Sequence, residues 1–204
     1  MSLDENRTFD EISIGDEASL SRTLTWRDVE LFAAMSGDVN PAHVDEEFAK
    51  SDVFHKIIAH GMWGGALIST LLGTELSGPD TIYVSQTLKF RRPIGLDDTV
   101  TITVRATAKD EAEHRITFDC SVVNQEGQVA ISGAAEVIAP AEKVCRERVP
   151  VPEVERREPG RLFGSAKECV DAPGASSSAV PGPAASGRPG SRPLRGASHG
   201  AECA

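Results

Sequence analysis

The hydrophobic pattern of the chain changes from helical spacing to alternation near residue 79. Before that point, apolar residues after Thr25 recur every three or four positions, which predicts a short helix capped by Thr25 with Asp28 in a weak capping box. Residues 60–76 are apolar nearly all round, which is typical of a buried helix. This run is too short, and too interrupted by glycine, to cross a membrane.

Alternating apolar positions in the second half predict an antiparallel sheet. The predicted strands cover residues 83–90, 100–106, 116–122 and 129–138. Residues 124–127 have the composition of a hairpin turn, and an earlier strand is expected at 18–24. A central helix followed by a meander of strands indicates an α+β protein.

The acidic residues 45–47 predict the start of another short helix, because carboxylates are favourable at a helix N-terminus. In this region Phe48 and Val53 are expected to pack inward, and His55 is expected at the surface.

The candidate chemistry lies in Ser-Gly-Asp-Val-Asn-Pro-Ala-His, residues 36–43. Asn40 precedes a proline, which disfavours helix at that position and predicts a loop. A loop that doubles back would aim Asp38 and His43 at one point, and such a pair is competent for proton transfer. On spacing alone, an equally good interpretation makes Asp38 and Asn40 turn residues and His43 a surface residue of the next helix.

Gly61 lies at the start of the predicted buried helix. The free N–H groups and positive dipole end at such a position can stabilise an oxygen that gains negative charge. The alternative is a glycine-rich entry to a core helix with no chemical role.

Together these stretches resemble the MaoC-like, or R-specific enoyl-CoA hydratase, family. The resemblance rests on Ser-Gly-Asp-x-Asn-Pro-x-His at 36–43, on Ala49, and on His-Gly-Met at 60–62, and it covers about residues 9–140. Ala42 and residues 63–65 depart from the aliphatic residues that are usual in the family. These departures leave the chemistry intact and bear on the acyl-chain preference.

The resemblance implies a hotdog fold, an antiparallel sheet wrapped around one central helix, and a dimer. It also implies hydration of trans-2-enoyl-CoA to (R)-3-hydroxyacyl-CoA, or the reverse dehydration, as in fatty acid metabolism. Asp38 and His43 would be the catalytic dyad, Gly61 the oxyanion donor and Ser69 a supporting hydrogen-bonding group beside the dyad. Asn40 can help to position the attacking water. No metal or redox cofactor is expected, since coenzyme A is part of the substrate.

Two other functions compete with this interpretation. A hotdog thioesterase would direct a carboxylate and water at the thioester carbonyl, and a non-catalytic hotdog module would only bind acyl-CoA. The intact motif with both acid/base residues favours the hydratase.

Charge and cysteine content narrow the function classes. The chain has 204 residues and a net charge of -10, which argues against nucleic acid as the main partner. Its first residues carry no basic-then-apolar signal, so a cytoplasmic protein is expected. The four cysteines are widely spaced and predict neither a disulfide framework nor a metal site.

The basic pair Arg91-Arg92 could meet the phosphates of coenzyme A or could simply end a solvated strand.

Composition changes near residue 140. Residues 1–140 carry 11 basic and 23 acidic side chains, whereas 25 of the 34 residues from 171 to 204 are Gly, Pro, Ala or Ser. The sequence therefore predicts a hydratase domain at 1–140, a linker at 141–170 with a short helix at 164–170, and a disordered tail at 171–204.

Residues 142–154 also resemble the junction in fusions of this hydratase to a phosphate acetyl- or butyryltransferase. This likeness suggests a truncated or frame-shifted descendant of a two-domain enzyme. Some 60 residues after the junction cannot build a transferase core, so no such activity is expected of this chain.

Overall fold

The computed structural model describes residues 3–155, and four α-helices lie in the first half of that range. They are α1 (Trp26–Ser36), α2 (Pro41–Val44), α3 (Glu46–Ser51) and α4 (Gly61–Thr74). The predicted capping box is confirmed, because the Thr25 side chain accepts from the Asp28 N–H while the Asp28 carboxylate accepts from the Thr25 N–H. α1 then stops at Gly37, whose φ of 77° is the left-handed conformation that ends many helices.

Seven strands accompany these helices within the described chain. They are β1 (Leu3–Glu5), β2 (Glu17–Thr23), β3 (Ile82–Phe90), β4 (Thr99–Asp110), β5 (Arg115–Asn124), β6 (Val129–Ile138) and β7 (Cys145–Glu147). Five of them form one sheet in the order β2-β4-β5-β6-β3, and each neighbouring pair is antiparallel. The predicted α+β class is therefore confirmed.

The core lies between α4 and the concave side of this sheet. Alternate residues of the central strands are fully or almost fully buried, as the sequence pattern predicts: Val100, Ile102, Val104 and Ala106 on β4, and Ile116, Phe118, Cys120 and Val122 on β5. α4 contributes Ile68, Leu71 and Leu72 to the same cluster and packs on β4. Among the described residues, no helix combines the length and apolar character that a membrane span requires.

Two expectations about burial are wrong. Phe48 and Val53 are 45% and 83% exposed, because α3 is a short surface helix that buries Ala49 instead. The apolar residues of β3 are not buried as those of β4 and β5 are, since Val84 and Phe90 are 40% and 55% exposed. β3 is an edge strand, and a bulge between Tyr83 and Ser85 shifts its alternation.

The segment predicted as a linker from residue 141 contributes a strand within the described range. β7 pairs with β1 in a separate two-stranded sheet. The buried Asn6 fixes this segment, because its side chain donates to the Glu142 carbonyl at 2.9 Å and accepts from the Val144 N–H at 2.9 Å. The predicted helix at 164–170 and tail at 171–204 lie outside the described residues.

Candidate active site

The loop after α1 is shaped by its own side chains. The Ser36 hydroxyl donates to the Phe32 carbonyl and accepts from the Asp38 N–H, and one Asp38 carboxylate oxygen accepts from the Asn40 N–H at 3.2 Å. Such side-chain bonds to neighbouring backbone groups are typical of Asp, Asn and Ser in turns. Asp38 is thereby exposed at the end of a short, internally bonded turn.

His43 is carried on a one-turn helix and not on the loop that the sequence predicted. Asn40 caps α2, because its side-chain oxygen accepts from the Ala42 N–H at 3.1 Å, and Pro41 occupies the first helical position. The extended ψ of 127° at Asn40 agrees with the restriction that a following proline imposes. The loop proper therefore ends at Asn40.

The His43 ring is held in one tautomer. Its Nδ1 lies 2.9 Å from the Ile58 carbonyl oxygen. Since a carbonyl only accepts, Nδ1 carries the proton and donates it, and Nε2 keeps a free lone pair. His43 is half-buried and lines a cleft, so this lone pair can accept a proton from a group bound there.

His60 belongs to the His-Gly-Met motif at 60–62 and was not predicted to have a role of its own, yet it contacts both Asp38 and His43. It is 3% exposed, and its Nε2–H donates to the Asp38 carbonyl at 2.9 Å. Its ring stacks on Phe32 at 4.9 Å and lies 4.1 Å from the His43 ring, centroid to centroid. Burial lowers the pKa of His60, so the imidazole is neutral near pH 7. The His-Gly pair at 60–61 was the available signal.

Asp38, His43 and His60 each place one nitrogen or oxygen within 4.8 Å of the others, which confirms the predicted proximity of Asp38 and His43. Three such groups could in principle hold a metal ion. The two imidazole rings are tilted by 35° to each other, and one nitrogen of each ring already donates to a backbone carbonyl.

Gly61 opens α4 directly beside this cluster, as the sequence predicted. It lines a cleft of about 310 Å³ together with His43, the aromatic rings of Phe54 and Phe90, and several apolar groups. A β-carbon at Gly61 would lie 3.1 Å from the edge of the Phe90 ring, so the missing side chain leaves room there. The Trp63 N–H already donates to the His60 carbonyl at 2.9 Å, whereas the Gly61 N–H, the first of α4, has no partner within the helix.

Two predicted site residues are placed differently. The side-chain oxygen of Asn40 is engaged as the cap of α2, so only its amide NH₂ is left to bond another group. Ser69 lies eight residues beyond Gly61, about 12 Å further along the helix axis. It is exposed, and across residues 3–155 its hydroxyl makes no hydrogen bond to the dyad.

Arg91 and Arg92 line the same cleft and stand just after β3. Arg91 Nε donates to the Ser132 hydroxyl at 3.0 Å, and the Arg92 guanidinium donates to the Val129 carbonyl at 3.0 Å. Neither makes an ion pair with a carboxylate in the described part of the chain. The cleft therefore has two uncompensated positive charges at its rim.

Comparison with known proteins agrees with this geometry. Residues 12–128 match the family described as MaoC like domain. The (R)-specific enoyl-CoA hydratase of Rhodospirillum rubrum is 46% identical over 135 residues, which are 65% of this chain and 92% of that protein. The enzyme of the same name from Aeromonas caviae is 38% identical over 129 residues, 63% of this chain and 96% of that protein.

Solved structures give the same result. The unliganded R-hydratase PhaJ1 from Pseudomonas aeruginosa superimposes with a TM-score of 0.73 at 39% identity, covering 76% of this chain and 99% of that one. The (R)-hydratase from A. caviae superimposes with a TM-score of 0.62 at 38% identity, covering 63% of this chain and 98% of that one. These neighbours confirm the predicted hotdog fold.

Proposed function

We infer that this chain, which belongs to the MaoC-like domain family, is a hydro-lyase that adds water to trans-2-enoyl-CoA to give (R)-3-hydroxyacyl-CoA, or catalyses the reverse dehydration. The observation that carries this proposal is the Asp38–His43 pair at a cleft, in a chain 46% identical to an (R)-specific enoyl-CoA hydratase. A second relative, 37% identical over 134 residues, is named 3-hydroxybutyryl-CoA dehydratase, which is the same chemistry in the opposite direction.

The two side chains divide the proton transfers. A water held between Asp38 and His43 loses a proton to one of them while its oxygen forms a bond to C3 of the substrate. The C2–C3 double bond shifts its electrons toward the thioester, and a proton returned by the dyad reaches C2. Both partners act from one side of the cleft, so water adds in the syn sense. The tautomer of His43, with Nε2 unprotonated, is the one that this step requires.

The thioester oxygen gains enolate charge during this step. The Gly61 N–H at the start of α4 is placed to donate to that oxygen, with the positive end of the helix dipole behind it. A preorganised donor of this kind contributes roughly 3–4 kcal/mol of transition-state stabilisation. The reaction needs no cofactor beyond the coenzyme A that the substrate carries.

The positive charges of Arg91 and Arg92 at the cleft suit the coenzyme A part of such a substrate. Coenzyme A is rich in phosphate, and across residues 3–155 neither Arg91 nor Arg92, which line the cleft with His43, pairs with a carboxylate. We expect Arg91→Ala and Arg92→Ala to raise KM for crotonyl-CoA by about tenfold each, the equivalent of roughly 1.4 kcal/mol, with little change in kcat. A fall in kcat with KM unchanged would contradict this assignment.

A homodimer completes the proposal. β3 is the edge of the five-stranded sheet, and four large apolar residues on it are 39–59% exposed: Ile82, Tyr83, Val84 and Phe90. An apolar edge strand needs covering, and the edge of a second copy is a natural partner. Light scattering at micromolar concentration should give twice the monomer mass, and a monomer would refute this part of the proposal.

The dyad is tested by substitution. Asp38→Asn and His43→Ala should each lower crotonyl-CoA hydration on the order of 10²–10⁴-fold with normal thermal melting. Asp80→Asn and His55→Asn are matched controls, because both residues are exposed, lie outside the cleft and have positive φ values that Asn accepts. A loss below about tenfold in either dyad variant would exclude that residue as an acid or base in the reaction.

A further inference from the structure

We propose that His60 is a positioning residue. One nitrogen of its buried imidazole hydrogen-bonds the Asp38 backbone, and the face of its ring packs against the His43 ring. This inference rests on the proposed function and adds a third side chain to the dyad. His60 contacts both members of the dyad.

The first contact fixes the carboxylate. The His60 Nε2–H donates at 2.9 Å to the carbonyl of Asp38 itself. The other bonds of this turn join neighbouring residues of the turn or reach back to the end of α1, so they set its shape locally. Losing the His60 donor would free the turn to move, and a misplacement of about 1 Å can cost on the order of 10²-fold in rate.

The second contact fixes the base. The Nδ1–H of His43 is hydrogen-bonded to the Ile58 carbonyl. This single bond fixes one edge of the ring and still allows the ring to tilt. The His60 face lies 4.1 Å from the His43 ring and is itself backed by Phe32 at 4.9 Å. This three-ring stack sets the direction in which His43 Nε2 points.

Packing alone does not explain a histidine at position 60. His60 is 3% exposed, yet its Nδ1 has no hydrogen-bond partner among the described residues. An unpaired buried polar atom is costly, and an apolar side chain would avoid that cost. The two contacts explain why a histidine is used here. Its imidazole donates to the Asp38 carbonyl and also packs a flat, neutral ring against His43, and a leucine side chain could do neither.

The experiment compares His60→Gln, His60→Asn and His60→Leu in the full chain with crotonyl-CoA. The Gln amide reaches the position of Nε2 and keeps the donor, the Asn amide is one methylene too short, and Leu has no donor. We expect kcat to fall about 10²-fold in His60→Leu and His60→Asn with KM within about threefold, and His60→Gln to recover at least about tenfold of that loss.

Hydrogen exchange of the amides at 37–43 provides a readout that does not depend on activity. Exchange should quicken there in His60→Asn and His60→Leu and stay close to wild type in His60→Gln. Wild-type kcat in His60→Asn, or equal loss in all three variants, would overturn the proposal. If the wild type fails to hydrate crotonyl-CoA, the proposed function fails, and the exchange pattern still decides whether His60 positions the turn.

Discussion

The pairing of β3 with β6 depends on Gly133, and Gly133→Ala is expected to break it. Gly133 lies opposite Leu88 on β3 and opposite Cys120 on β5. A β-carbon added there would stand 2.8 Å from the Thr87 carbonyl carbon, nearer still to its oxygen, and 3.2 Å from the Leu88 Cα. All three are backbone atoms, so no side chain can rotate away to make room.

The magnitude follows from the strand spacing. Ordinary carbon contacts need about 3.5 Å, so β3 must retreat by roughly 1 Å. Flanking ladder bonds near 2.9 Å then exceed hydrogen-bonding distance, and losing two of them costs about 1–3 kcal/mol. Residual overpacking adds about 1 kcal/mol. A total near 3 kcal/mol lowers the melting temperature of a domain of this size by about 6–12 °C.

Gly73→Ala is the matched control. Gly73 lies within α4, and a β-carbon there would meet nothing within 4 Å of the described chain. Alanine is a better helix former than glycine by about 1 kcal/mol, so this variant should melt at or slightly above the wild type. Thermal melts of the two variants decide the matter. A Gly133→Ala protein that melts within about 2 °C of wild type would refute the β3–β6 register.

Three further outcomes are expected. Asn6→Ala should lower the free energy of unfolding by about 2 kcal/mol in denaturant titrations, because two backbone groups of the segment before β7 lose their partner. Burial lowers the pKa of His60 from its ordinary 6.5, so the unfolded chain binds a proton there before the folded chain does. The contribution of His60 to the free energy of unfolding should be fully present above pH 6.5 and decrease as the pH falls below that value. The decrease should be smaller in His60→Gln. Burial raises the pKa of Cys120 to about 11, so mass mapping after alkylation at neutral pH should find the exposed Cys145 modified and Cys120 untouched.

The sequence was most informative where burial and local chemistry act together. The alternation on β4 and β5 predicted their buried faces, because both strands are central and carry one apolar side. The capping box at Thr25 was readable because it involves residues only three positions apart. Asp38 and His43 lie close together because only five positions separate them along the chain.

Contacts between residues far apart in the chain could not be predicted from the sequence. β3 shows the alternation of a strand in the sequence, but its position at the edge of the sheet and its bulge depend on its pairing with β6, which is distant in the chain. The contact of His60 with Asp38 joins residues 22 positions apart, and a donor to a backbone carbonyl leaves no mark on residue type. The one-turn helix at His43 corresponds to the alternative interpretation of this segment, because a capping Asn followed by Pro suits both a loop and the start of a helix.

The central claim is that this site hydrates an enoyl thioester from one side without cleaving it. The most direct test incubates the wild-type protein with crotonyl-CoA, resolves the enantiomers of 3-hydroxybutyryl-CoA and measures free coenzyme A thiol in the same sample. We expect the (R) product and no thiol above background. Thiol release without the hydroxy product would indicate a thioesterase, an (S) product would contradict the geometry of the dyad, and bound substrate without turnover would indicate a binding module.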